Sequence, residues 1–465
     1  MSWDLPSLGI LSPDEPEPHV VRTDAARVAA TLREHKIDVR QVVSNIGPQA
    51  IRYLVRLDPG VLPAKVERAT PAVGLALGVP VRYAGVVGDA VALEAARTER
   101  AGVTLSRVLG DLTATSPDHA LPIPVGVDLD GNARMDDLAR LPHLIVAGTT
   151  GAGKSAYLHA VVTTLLMRTT PDELRLHLID PKHVELTAYE GAPHVAGVAT
   201  DAGDALEMLR GFVTMMDARY ATLREAGVRD IDAFNAKVGP GEALERHVLV
   251  VEELADLLMS AVGPAVGKRL ERVAQLGRAA GLHLVVATQR PSAKVLPELL
   301  RANVPARAVF AISTPSDALV ALGQPGATAL TGKGDGLFKV PGVGAPVRFQ
   351  SPFVSAAEVA RVVEWWRRQV PARRPLPEPP VESIADTPGD VSAALRAQLD
   401  LDAMRRDAER AEAMRRHGLE PSYRTPEDTL AGYGFTPAVL DALAEVQAEK
   451  IGDLLVAKIK KELGL

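Results

Sequence analysis

The sequence predicts an α/β protein built around a doubly wound parallel sheet, and three observations carry that reading. Between residues 121 and 353, short apolar runs alternate with stretches long enough for crossover helices. The runs at 143–147 (HLIVA), 174–179 (LRLHLI), 247–251 (HVLVV), 282–287 (LHLVVA) and 308–312 (AVFAI) are rich in Val, Ile and Leu and lack polar alternation. Strands covered on both faces look like this. Polar or charged residues follow several of the runs, at the strand ends where open α/β sheets place their ligands.

Ahead of that region, residues 1–22 are rich in Pro, Asp and Glu and read as a flexible tail. Thr23-Asp24 would cap a helix over Ala25–Glu34, with Val28, Ala29 and Leu32 on one face. The alternating segment Ala50–Leu57 (AIRYLVRL) reads as a strand, closed by the turn Asp58-Pro59-Gly60. A helix is expected at 66–77, interrupted by Pro71, and short strands at 79–83 and 90–93. These make a small α+β domain over 23–118, followed by the main domain over 119–370. Residues 371–390 form a Pro-rich linker and 391–465 a helical segment dense in Ala, Arg, Glu and Leu.

The 465 residues carry a net charge of −6, which does not announce a nucleic-acid binder, although a ring needs only a local basic lining. Absence of cysteine excludes disulfides, thiolate metal sites and Cys nucleophiles. No window approaches the roughly 18 consecutive apolar residues of a membrane span, and the start has no basic-then-apolar leader, so a soluble cytoplasmic protein without membrane insertion is expected.

Chemistry is written most clearly at 148–155. Gly148-Thr149-Thr150-Gly151-Ala152-Gly153-Lys154-Ser155 satisfies G-x-x-x-x-G-K-[ST] in full, between a buried strand and a helix expected at 156–167. The glycines let backbone amides turn toward phosphate oxygens, and the helix N-terminus adds positive potential. Lys154 would reach the β- and γ-phosphates of ATP, and the Ser155 hydroxyl would ligate Mg²⁺. Glu252-Glu253 ends the run at 247–251. An acidic pair at such a strand end supplies a Mg²⁺ ligand, Glu252, and an acid that polarises water, Glu253; the same pair would also cap a helix at 254–260. Gln289 ends another run, where an amide would sense the γ-phosphate. Spacing alone gives Arg278 no better claim than Arg272 or Arg301 to be the arginine offered to a neighbouring subunit. Asp180-Pro181-Lys182 is either a functional turn or simply a turn. His143, His177 and His283 read as core or edge histidines, and Trp365-Trp366 as packing for a last helix.

The segments at 141–155, 178–195, 215–235, 248–258, 276–292 and 332–342, with 45–61 upstream, together resemble the FtsK/SpoIIIE DNA translocases. The resemblance spans about 40–353. It implies a RecA-like motor domain, a hexameric ring around double-stranded DNA, and ATP sites between subunits. By motif position Glu253 falls at the catalytic acid, Arg278 at the arginine offered in trans and Gln289 at the sensor amide.

Four departures qualify it. Glu252 stands where that family usually has Asp. The run Thr314-Pro315-Ser316-Asp317-Ala318-Leu319 stands where that family typically shows a Lys and an Asp-Ser-Arg run. No membrane-spanning N-terminal domain is expected. Arg-rich helices, candidates for a protein partner, stand in place of the family's winged-helix DNA reader. These features fit a motor of plasmid, phage or mobile-element DNA better than one anchored at a septum. Two other functions stay open: a slow or inactive DNA-bound ring or adaptor, and a protein-translocating ATPase of the type VII secretion kind.

Overall fold

The computed structural model describes residues 3–12, 24–97, 102–112, 119–239 and 241–370. The linker and helical segment expected over 371–465 lie outside them. The described residues form two sheets. In the first, β1 (Val39–Ile46), β2 (Ala50–Leu57), β3 (Val81–Val87) and β4 (Ala90–Ala96) pair antiparallel in the order β1-β2-β4-β3. Helices α1 (Ala25–Glu34) and α2 (Pro63–Leu77) cover one face, packing Val28, Leu32, Val66 and Val73 against Tyr53, Val55 and Leu93. Helix α2 runs through Pro71 instead of breaking there. Pro71 and Glu67, whose carbonyl loses its amide partner, both face solvent, so water satisfies the vacant bond.

The second sheet comprises β5 (Pro122–Asp128), β6 (Ala133–Asp137), β7 (His143–Ala147), β8 (Leu174–Ile179), β9 (Val195–Ala199), β10 (Arg246–Val251), β11 (Leu282–Thr288), β12 (Ala306–Phe310), β13 (Asp335–Lys339) and β14 (Val347–Gln350). Its order is β6-β5-β14-β13-β12-β7-β11-β10-β8-β9. The six strands from β12 to β9 are parallel, and β13, β14, β5 and β6 extend them antiparallel. The sheet is therefore mixed where apolar runs alone suggested parallel strands. The antiparallel strands are short or carry Pro, Gly and charged residues, so they lack the apolar signature.

Helices cover both faces. On one, α4 (Lys154–Arg168) and α11 (Ala356–Gln369) pack Tyr157, Leu158, Val162 and Trp366 against Leu144, Val146, Leu176 and Val250. On the other, α5 (Ala202–Glu225) and α8 (Gly263–Leu276) pack Leu209, Phe212, Leu270 and Val273 against Ile145, Leu249, Val251 and Leu284. Trp366 is fully buried and its indole N–H donates to the Leu166 carbonyl at 2.9 Å, which makes it a packing residue.

Two boundaries move. Residues 3–12, read above as flexible tail, dock on α11: the Trp3 ring lies edge-on to Trp366 at 6.0 Å, the Asp4 amide donates to Gln369 Oε1 at 2.8 Å, and Leu11 is buried. The apolar residues among the prolines and acids account for this. Helix α3 (Leu105–Leu112), placed with the small domain above, packs Leu105 and Leu109 into the core of the large sheet. The two sheets are tied by polar bonds. Arg348 makes a two-pronged contact with buried Asp335 (2.8 and 2.7 Å) and reaches Glu94 of β4 at 3.4 Å, while Arg52 of β2 bonds Asp130 at 3.0 Å.

Several histidines are buried neutral. Burial, with His283 close by at 6.3 Å, pushes His143 down to about 3; burial likewise pushes His177, His194 and His283 down to about 4. Their folded values lie below the ordinary 6.5, so the unfolded chain takes up protons first as pH falls. The stability they contribute is complete above about pH 6.5 and is lost progressively toward pH 4. The urea midpoint is expected to drop clearly between pH 7 and pH 5; a constant midpoint would contradict it.

Candidate nucleotide site

Strand register determines which loops meet. Ala147 of β7 pairs with Thr288 of β11 and Val309 of β12; Val251 of β10 pairs with Val286 of β11 and Ile179 of β8. All five strands are parallel, so the segments following them emerge along one edge. That edge collects the loop 148–155, Glu252-Glu253, Gln289, Asp180 and Ala311.

The loop is held from both sides. The Gly148 amide donates to the Thr288 carbonyl at 3.3 Å, and the amide and hydroxyl of Thr149 both donate to the Ala311 carbonyl at 3.0 Å. The Thr150 hydroxyl donates to Gln289 Oε1 at 2.8 Å, which ties the sensor candidate directly to the loop. Gly153, with φ +112°, starts α4. It admits no side chain: a Cβ there would stand 2.5 Å from the Gly334 nitrogen. The turn 332–335 lies against the loop at this point, with the Gly334 amide donating to the Ala152 carbonyl at 2.8 Å.

Lys154 and Glu252 are 3% and 2% exposed. The Lys154 ammonium donates to Glu252 Oε1 at 3.0 Å and to the Glu252 carbonyl at 2.9 Å. The longer acid at this position thus reaches across to close a buried ion pair. Its second oxygen, Oε2, is buried without a hydrogen-bond partner. A buried carboxylate oxygen with free lone pairs beside an ammonium and the α4 N-terminus fits a bound metal–phosphate group. Glu253 caps α7 (Leu254–Leu258), as the capping alternative had it, and does more. Its Oε1 accepts from the Thr288 hydroxyl at 2.7 Å, and its Oε2 from the Gln289 amide at 3.0 Å. Strand β11, inserted between β7 and β10, therefore fixes the carboxylate's orientation.

Sequence reasoning left three nearby groups unassigned. Asp180, fully buried, accepts from the amides of Glu185 (3.0 Å) and Leu186 (2.8 Å), so the Asp180 turn has a structural task. Glu185 Oε2 lies 2.9 Å from His159 Nε2. Lys182 pairs with Asp256 at 3.3 Å; burial alone would push its ammonium down, but Asp256, with Glu252 and Glu253 behind, holds it above the ordinary lysine value. Only the polar ends of β8 and β11 hinted at this set.

Arg278 is not brought to the loop. It precedes β11 at the opposite edge, on the order of 23 Å of strand away. It is exposed and lines a cleft of ≈ 580 Å³ with Arg140, Arg229 and Arg246. Arg272 pairs with Asp217, and Arg301 bonds the Leu296 carbonyl. The run at 314–317 starts α10 (Pro315–Leu322): Thr314 caps it by accepting from the Asp317 amide at 3.2 Å, and Pro315 takes the first-turn position that needs no amide.

A parallel sheet carrying a Gly-rich strand–turn–helix, with an extra strand between that turn and an acidic strand end, defines the RecA-like class of P-loop folds. The family model described as "FtsK/SpoIIIE family" matches residues 104–293, which form a domain of that family. Over 390 residues it is 40% identical to the DNA translocase FtsK of Streptomyces coelicolor, covering 80% of this chain and 42% of that protein. To the DNA translocase FtsK of Mycobacterium leprae it is 39% identical over 381 residues, covering 78% and 45%. The chain spans less than half the length of these relatives. The solved structure of the pCW3 conjugation coupling protein TcpA, in monomer form with ATPγS, superposes with TM-score 0.52 at 20% identity, covering 73% of this chain and 98% of that one, a likeness of fold. Among the described residues no helix is long and apolar enough to cross a membrane.

Proposed function

We propose that this chain is an ATP-hydrolysing motor that moves double-stranded DNA, working as a hexameric ring with nucleotide between subunits. The observation that carries it is the buried Lys154–Glu252 pair, set between the glycine-rich loop and Glu253 with a carboxylate oxygen unpartnered. The DNA substrate rests on the two translocases, which share about two in five residues with this chain.

The residues divide the work. Amides of 148–155 and the α4 N-terminus bind the phosphates. Lys154 turns from Glu252 to the phosphate oxygens, and Glu252 is then free to bind metal together with Ser155. Mg²⁺ would supply charge neutralisation on the phosphates. Glu253, held by Thr288 and the Gln289 amide, takes a proton from the hydrolytic water. Gln289, bonded to Thr150, couples occupancy of the loop to β11. Arg278, at the far edge, serves a neighbouring copy's site. The test is steady-state ATP hydrolysis with and without linear duplex DNA: strong stimulation is expected, and DNA-independent or absent turnover would count against the motor.

A further inference from the structure

The turn 331–335 packs backbone to backbone on the glycine-rich loop. The Gly334 amide donates to the Ala152 carbonyl at 2.8 Å, and the Lys333 amide to the Gly151 carbonyl at 3.4 Å. A Cβ on Gly153 would stand 2.5 Å from the Gly334 nitrogen and 2.6 Å from its Cα, so no side chain cushions the contact. The Ala152–Gly153 peptide is planar, so the bond that holds its carbonyl also aims the Gly153 N–H, one of the amides assigned to phosphate. A displacement of this turn is therefore a displacement of the loop.

The turn does not hold its shape alone. Gly332, Lys333 and Gly334 follow one another at φ +74°, +54° and +90°, and the middle residue is not a glycine. Backbone of this kind persists only where its surroundings fix it. Asp335, fully buried, does so by accepting from the Thr331 amide at 2.8 Å and the Thr331 hydroxyl at 3.0 Å, which closes the turn. Arg348 of β14 grips both Asp335 oxygens, with Nε at 2.8 Å and Nη2 at 2.7 Å. Its remaining nitrogen, Nη1, lies 3.4 Å from Oε2 of Glu94, a buried carboxylate of β4 that also accepts from Arg82 at 2.6 Å and Arg52 at 3.3 Å. The guanidinium is a rigid planar fork, so its grip on Asp335 and its reach to Glu94 are one geometry. A chain Glu94–Arg348–Asp335–Gly334–Ala152 thus runs from the small sheet to the loop.

We propose that Arg348 is a positioning residue for the phosphate loop, and that Glu94, by holding it, makes the small sheet part of the nucleotide site. The proposal rests on the nucleotide reading above. Arg348 acts on the loop only through Asp335 and the turn, so its loss is read as a loosened turn and a weakened hold on phosphate.

The test is binding of fluorescent ATPγS with Mg²⁺ to the full chain, alongside amide hydrogen exchange across 331–336. Arg348→Lys keeps the charge, but a single ammonium cannot make the two-pronged contact and reach Glu94 as well. Its dissociation constant is expected to rise about 10-fold, within the usual range for coupled sites, and exchange at the turn to quicken. Asp130→Asn is the matched control. Asp130 accepts from Arg52 at 3.0 Å and Asn45 at 2.9 Å, a tie between the same two sheets that touches neither Arg348 nor Asp335. That variant should bind ATPγS as wild type does, with exchange at the turn unchanged. Thr331→Val removes one donor to Asp335 and should weaken binding by about 3-fold, the worth of one hydrogen bond; it serves if Arg348→Lys does not fold. Wild-type affinity in folded Arg348→Lys or, failing that variant, in Thr331→Val overturns the proposal and leaves the nucleotide reading intact. So does an equal loss in Asp130→Asn, which would reduce the network to general cohesion between the sheets. Wild type that binds no nucleotide overturns both.

Discussion

Lys154→Ala is expected to abolish ATP hydrolysis, with a fall in kcat of roughly 10²–10³ or more, the loss seen when one preorganised charge-stabilising donor is removed. The structure adds a second, opposite-looking consequence. Lys154 neutralises Glu252 in a site where both are almost fully buried. Removing one partner of such a pair leaves an uncompensated charge and typically costs 3–5 kcal/mol. The Ala variant should therefore be less stable as well as inactive, by about that amount in urea unfolding. The double variant Lys154→Met/Glu252→Gln should recover much of the stability and none of the activity, because a neutral amide needs no ammonium. Recovery of turnover in the double variant, or unchanged turnover in Lys154→Ala, would remove the loop from the chemistry.

Glu253→Gln is expected to lower hydrolysis by about 10²–10⁴-fold, the usual worth of a general base, while nucleotide still binds. The substitution is isosteric. Its carbonyl can still accept from the Gln289 amide and its NH₂ can donate to Thr288 Oγ1, so the fold around β11 should persist. The bond from the Ala255 amide at the start of α7 is lost, because the NH₂ that replaces Oε1 cannot accept. Bound nucleotide recovered from this variant should be ATP, where wild type yields ADP. Normal turnover would transfer the base role to Glu252 or Glu185, the other carboxylates at this edge.

The sequence was most readable where burial and chemistry coincide. β7, β8, β10, β11 and β12 are strongly apolar, so they announce themselves, and the loop 148–155 follows one of them; β9 (VAGVA), parallel but only partly buried at the sheet edge, is not legible in this way. The acids Glu252 and Glu253 were found the same way. β13, β14, β5 and β6 were missed because each presents a mixed face: β13 opens with Asp335 and Gly336, and β5 carries Pro124 and Gly126. β1, with Arg40, Gln41, Ser44 and Asn45 among its apolar residues, was missed for the same reason. Pairing between residues far apart in the chain, such as Phe349 with Asp128, leaves no local signal.

The arrangement also gives a physical reading of the Glu252 departure. A carboxylate one methylene longer than Asp reaches Lys154 at 3.0 Å while keeping Oε2 unpaired. The ion pair keeps the buried site charge-balanced; on the function proposed here, phosphate contacts would take its place.

The most direct test of the central claim is steady-state ATP hydrolysis by the full chain, with and without linear duplex DNA, with Lys154→Ala as the control. The account predicts turnover that rises strongly with duplex DNA and vanishes in the variant. Nucleotide and DNA binding without hydrolysis would contradict it, and would make the chain a static ring whose Lys154–Glu252 pair never opens productively.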